Sequence, residues 1–599
     1  MNLSKVTQTG LGVLNIARSI SQRAARTAPL LIASLVLFAA PVFAQANSLV
    51  DRLPPDTWAY INWHGITSLN SVRGTNSLLR LWNDPSFAVL REHFAAHISQ
   101  GGRQSSPQAA QMAQEQIKEI LSALENPAVL GFLNRPAGGA GQGAMNSMGL
   151  FLVYDATGKL DIVNELRHER DTNSAEPVER TPLPVGDVTA EKVVSNGHAS
   201  YDVQVGSYFI YTDTFAALEE LVPRFAASHP PLSSFEQSPD IPSACRNGSQ
   251  SSALDLFVLP SRFHAPATPS NPDFDIHAFT SSLHLDHIHA VCGRMSFDRE
   301  VTRWHGVILG DTSQGSILDI FGDNRDSFAT LPLAPSGSSF QCSVLNFAAF
   351  YNIFFNAITA ALPSNKAAVV MGMTAFLSST WGMPPDQAFG LFTGEFASIH
   401  PDPATDPGDT IYAITIHSPE KLLTILQHVY PGEQAAVKQD GDTTYLTVAL
   451  PGSPVATSDP PAAPPAIYFA LTPNMLVVSK QRDRVRDAVA RLHSSPDSAA
   501  ADLLSHNPDF LRARATLPPK LDGLSYANFA SYNWQKVFAD IEKSINEQVQ
   551  AAAKREKVAP QPMDWVQGFD PSVISHYLHF SVGGAWKDSS GIYFDSYIQ

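Results

Sequence analysis

The sequence predicts an α+β fold built as two tandem repeats, each a mainly antiparallel sheet with helices packed on one side. Three observations predict it. The stretch Leu53–Gly65, LPPDTWAYINWHG, returns in degenerate form from Leu333 as LAPSGSSFQCSVLNF. The strand Tyr208–Thr212 with its helix to Phe225 is answered by Met475–Ser479 and a helix to Leu492. The offsets between matched positions are about 280, 262, 267 and 290 residues, in the same order along the chain, and chance matches would not stay so nearly constant. Residues 1–44 then form a signal peptide, 45–312 the first repeat and 318–599 the second.

The leader carries Lys5, Arg18, Arg23 and Arg26 with no acid, an apolar run from Pro29 to Phe43, and small residues ending at Ala44. That order predicts export with cleavage after Ala44, to the periplasm or beyond. An uncleaved N-terminal anchor is the alternative. No later stretch reads as a bilayer span, and Ile353–Leu362 reads as a core helix.

Thr57–Trp63 reads as a strand apolar on both faces, stiffened at its entry by Pro54 and Pro55. Ser77–Trp82, Pro85–Ile98 and Pro107–Leu124 have helical spacing. Met148–Tyr154 is a strand followed by a helix over Leu160–Leu166. Strands follow at Val188–Val194, His198–Val205 and Tyr208–Tyr211, then the helix Phe215–Phe225. Leu254–Leu259, Leu283–Met295 and Thr302–Leu309 close the unit, with the break near Asp311–Ile320. In the second unit Tyr412–Ile416 and the helix from Pro419 answer Leu150–Tyr154 and its helix, and His579–Gly583 answers His289–Gly293. The closing strands have open edges that could fuse the two cores into one sheet.

A net charge of −16 argues against nucleic-acid binding, which needs a cationic face. Three cysteines, Cys245, Cys292 and Cys342, allow one disulfide at most. Cys342 stands where Asn62 stands in the first copy and reads as a buried thiol.

Compact chemistry is scarce. His284, Asp286, His287 and His289 form the densest ligand-like cluster, but a strand would split them between two faces, which tetrahedral zinc does not accept. His93 and His97 share a helix face, yet Glu92 precedes the pair instead of following its first member. Gly139–Gly143 lacks the Lys-Ser/Thr ending of a phosphate loop. Gly310–Gly315 misses nucleophile-elbow spacing around Ser313. Glu395 could be a lone buried acid or a strand-edge turn residue. Trp58, Trp63, Trp82, Trp304 and Trp586 read as core. No catalytic, cofactor-binding or metal-ligating residue is assigned.

An exported chain that opens LP-x-D-T before a strand, and later shows YFIYTDTFAALEELVPRF, resembles a bacterial exported family known only as a domain of unknown function. The resemblance implies repeated α+β units in an envelope protein and carries no activity or site residue. The second copy departs from the pattern, with Ser336-Gly337 where Asp56-Thr57 stand. The expected function is a non-enzymatic binding or structural module of the envelope. Its partner would be an envelope protein or ligand, with no nucleic acid and no transmembrane domain in the mature chain. The alternative is a hydrolase of an envelope polymer whose site is assembled from distant residues.

Overall fold

A computed structural model describes residues 49–90, 125–133, 149–161, 163–164, 167, 178–195, 198–227, 235, 241–245, 252–262, 274–312, 316–402, 409–430, 435–449, 466–494, 503–556 and 568–599. The leader, His93, His97, Pro107–Leu124, Gly139–Gly143 and Ser313 lie outside them.

The first ten strands are β1 Thr57–Trp63, β2 Ala128–Leu133, β3 Leu150–Asp155, β4 Glu179–Val185, β5 Val188–Ser195, β6 His198–Val205, β7 Tyr208–Thr212, β8 Ser252–Val258, β9 Ile288–Phe297 and β10 Thr302–Gly310. The next ten are β11 Ser339–Val344, β12 Phe392–His400, β13 Ile411–Ile416, β14 Ala435–Asp440, β15 Thr443–Ala449, β16 Ala466–Leu471, β17 Met475–Ser479, β18 Gly523–Asn528, β19 Phe580–Asp588 and β20 Gly591–Ile598. All of them belong to one 20-stranded antiparallel sheet. Pairing runs β4-β5-β6-β7-β3-β2-β1-β8-β9-β10-β20-β19-β18-β11-β12-β13-β17-β16-β15-β14.

This overturns the expectation of two tandem units, each with its own sheet and helices on one side. The joint is β10 against β20, in register from Thr302 opposite Ile598 to Leu309 opposite Gly591. An unpaired inner edge on either strand would leave a row of backbone donors and acceptors open, and their mutual pairing removes both edges.

Helices also cover both faces. The helices used below are α1 Ser77–Trp82, α2 Phe215–Ala226, α3 Ile276–Ser282, α4 Phe347–Ala361, α5 Ser364–Trp381, α6 Pro385–Phe389, α7 Pro419–Val429, α8 Arg482–His493, α9 Pro508–Arg514, α10 Trp534–Glu556 and α11 Val573–Tyr577. On β17, Met475 and Val477 pack into the core that holds Val485, Ala488 and Val489 of α8, whereas Leu476 and Val478 pack with Leu422 and Ile425 of α7. On β9, Ala290 and Cys292 join the core of α2, while Met295 and Phe297 join that of α1 and α11. The physical reason lies in the strands: those with apolar residues of both parities need cover on both sides.

The β4 edge is blunted. β4 places Pro182 and Pro184 at one outer edge, two residues apart, so both missing N–H groups belong to the same side of the strand. A disulfide ties Cys245, in the short turn Ser243–Cys245, to Cys292 in β9. Cys342 is a buried free thiol, pushed up to about 12 by burial.

Candidate functional site

Register carries one row of polar side chains across the middle of the sheet. Asn62 of β1 stands opposite Asp255 of β8, which stands opposite Arg294 of β9. Arg294 faces His305 of β10, and His305 faces Asp595 of β20. All five positions share the face of Tyr60, Phe257, Cys292, Val307 and Tyr593, the next row along the strands. Continuing outward, the row becomes apolar: Gly584, Leu524 and Cys342.

The row holds two histidine–carboxylate clusters. In the first, Asp255 is only 3% exposed. Its Oδ2 lies 2.5 Å from His64 Nε2, and its Oδ1 accepts from Ser252 Oγ at 2.7 Å and from Arg294 Nε at 3.1 Å. Asn62 Nδ2 lies 2.9 Å from the same imidazole nitrogen. Burial alone would raise the Asp255 carboxyl, but His64, the Ser252 hydroxyl and the Arg294 charge together hold it below the ordinary carboxylate range. The serine here touches the carboxylate and not the imidazole, so the trio is not ordered as a nucleophile relay.

In the second cluster, Asp595 is 6% exposed. His305 Nδ1 lies 2.7 Å from Oδ1, Arg303 Nη2 donates to Oδ2 at 2.8 Å, and the Tyr597 hydroxyl donates to Oδ2 at 3.4 Å. The Arg303 guanidinium also lies 5.2 Å from the Tyr597 ring centre. Burial again opposes the charge, and His305 with Arg303 outweighs it, so this carboxyl too is lowered. The side chains of Arg303 and His305 are 40% exposed. Beside them Trp586 and Tyr593 stack at 5.5 Å with ring planes 9° apart.

Two other buried acids, Asp202 and Asp409, are each paired with an arginine. Asp202 takes Arg167, and Asp409 takes Arg484 through two contacts of 2.9 and 2.6 Å. Glu395, read as a possible lone acid, is paired as well. It accepts from Arg325 Nη1 at 3.0 Å and from the Thr330 backbone N–H at 3.0 Å.

The His284–His289 cluster is built differently from its sequence reading. His284 has φ 52, and Leu285–His287 form a 3₁₀ turn before β9 begins at Ile288. Donor atoms of His284, Asp286 and His287 therefore gather within 4.8 Å of one another instead of splitting across a strand. Asp311 Oδ2 lies 3.9 Å from His287 Nδ1. The turn sits at the surface and touches neither histidine–carboxylate cluster among the described contacts. Of the tryptophans, Trp82 is fully buried, whereas Trp586 is only half-buried on the seam.

Sequence reasoning missed His64, Asp255, Arg294, His305 and Asp595. A signal existed for two of them: a lone acid inside SALDLFV and another inside GIYFDSYI interrupt otherwise apolar strands. Their convergence depends on pairing between strands far apart in sequence. Comparison of the chain with models of known families, with curated proteins and with solved structures gives no match.

Proposed function

We propose that the protein is a non-enzymatic binding module working outside the cytoplasm, and that the β10–β20 seam is its recognition surface. One observation carries the reading: a single buried carboxylate, Asp595, fixes the exposed imidazole of His305 and the exposed guanidinium of Arg303. Donors held in this way lose little freedom on binding. With the stacked Trp586 and Tyr593 beside them, they suit an envelope partner or ligand that presents carboxylate or hydroxyl oxygens against a flat apolar surface. Export rests on the leader, and the mature chain should begin near Gln45 in the envelope fraction.

The test is a photocrosslinking residue placed at Tyr593 in intact cells, with the same residue at Leu511, an exposed position on α9, as the comparison. A discrete adduct from position 593 alone is the expected result. The same background from both positions would remove the seam as a recognition surface.

A second reading, hydrolysis of an envelope polymer, draws support from the orientation of His305. Its Nδ1 is held by Asp595, which turns Nε2 outward as a carboxylate-oriented base would be. Release of soluble fragments from isolated envelope polymer by the native protein, and not by His305→Ala, would favour it.

A further inference from the structure

We propose that the helical hairpin Phe347–Trp381 enters one leaflet of a lipid bilayer and holds the protein at a membrane surface. This inference stands independently of the seam. Helix α4 is anchored: Ile353, Ala357 and Ala361, four residues apart, are buried against Leu283, Ile317 and Ile592 or against the adjoining turn. Tyr351 stacks on Phe389 at 5.2 Å, and the backbone N–H of Asp275 donates to the Ala361 carbonyl at 2.7 Å. Pro363 then breaks the helix, and the chain turns outward into α5.

Helix α5, SNKAAVVMGMTAFLSSTW, has no buried residue over its 18 positions. Large apolar side chains nonetheless stand exposed along it: Val369 is 63% exposed, Met371 55%, Met373 42% and Phe376 51%. Phe350 and Ile358 of α4 extend the patch. Six of the ten large hydrophobic residues exposed among the described residues therefore fall on this one hairpin, beyond the scatter that a soluble surface carries.

Two observations select lipid over a protein. A helix that docks in a partner's groove keeps a polar face for water. On α5 the half-buried positions mix Thr374 and Ser378 with Val370 and Leu377, and the exposed ones are mostly Ala, Val, Met and Phe, so the side away from the protein is not a polar face. The second observation is charge. Between Asp326 and Asp386 the only charged residue is Lys366, in a chain whose net charge is −16. A hydrocarbon medium accepts such a segment because it carries one ion only, Lys366, whose long apolar stem lets the ammonium reach the headgroups. No helix among the described residues is long and apolar enough to cross a membrane. At about 1.5 Å per residue, α5 measures roughly 27 Å, so an inclined hairpin reaches into one leaflet and stops.

Flotation of the full mature chain with phosphatidylcholine vesicles tests this. Uncharged lipid is chosen because insertion here is apolar, so binding should persist at high salt. Met371→Glu combined with Phe376→Glu should lower partitioning on the order of a hundredfold and leave the melting temperature in place, since both side chains already face outward. Leu511→Glu, at an exposed apolar site on α9, should bind vesicles as the native chain does. Failure of the native chain to float would overturn the proposal. So would equal flotation of the double variant, or a native dimer that the double variant dissociates while neither form binds vesicles.

Discussion

Asp255 and Asp522 are both buried carboxyls in or beside central strands, yet their surroundings drive them in opposite directions. Asp255 collects a histidine, a serine hydroxyl and an arginine. Asp522 keeps Oδ2 without a partner among the described residues, and burial, opposed by Lys587, pushes its pKa up to about 6. The consequences for stability have opposite signs. The lowered Asp255 and Asp595 stabilise the fold above the unfolded carboxylate value of about 3.9, and that contribution is lost as pH falls through their folded values. Raised acids behave inversely: between roughly pH 4 and 6 the folded state holds the extra proton, so stability falls as pH rises through that window. Urea melts across pH should show both. Asp522→Asn should gain about 1–2 kcal/mol at pH 7 and flatten the decline between pH 4 and 6. Asp255→Asn should lose about 2 kcal/mol at pH 7, because the charge of Arg294 then lacks its counterion. The reverse order of these two variants would contradict the assignment of their environments.

Elements with a strong local pattern were legible. Thr57–Trp63, Ser77–Trp82, the helix after Thr214 and the strand Met475–Ser479 fall where periodicity and turn residues place them. The misses have particular causes. β2, AVLGFL, is a short apolar run without alternation, which periodicity cannot separate from helix. β4 contains two prolines, which argue against a strand unless it is an edge. The strand expected from Leu283 starts five residues later, because His284 takes a left-handed conformation that a non-glycine residue seldom adopts. The prolines of β4 also yield a prediction. Replacing Pro182 and Pro184 with Thr restores two outward N–H donors to an edge strand of the large sheet. The double variant should keep its secondary structure and form concentration-dependent oligomers in size-exclusion chromatography. A strictly monomeric variant would mean that something other than proline protects this edge.

At the scale of the whole molecule, the order of pairing explains why two units could be read into a single sheet. Outward from the β10–β20 joint, one arm runs β10-β9-β8-β1-β2-β3-β7-β6-β5-β4, and the other follows the same order with every label raised by ten. Matched segments therefore occupy matched places along one sheet, and neither arm closes by itself at the joint. The chemistry does not follow that correspondence. Asn62, Asp255, Arg294 and His305 stand against Cys342, Leu524, Gly584 and Asp595, so the polar row belongs to one arm and borrows a single carboxylate from the other. No internal repeat could have revealed it, because the second arm lacks the same residues. The joint itself can be tested with cysteines at Thr302 and Ile598, which stand directly opposite each other in register. Facing residues of antiparallel strands lie about 4.5–5.5 Å apart at Cα, within disulfide reach. The native cysteines should not interfere, since Cys245 and Cys292 are bonded and Cys342 is buried. Mild oxidation of Thr302→Cys/Ile598→Cys should yield a monomer whose digest contains one new linked peptide pair joining β10 to the C-terminal strand. If the two arms held separate sheets, these cysteines would remain reduced or link different molecules.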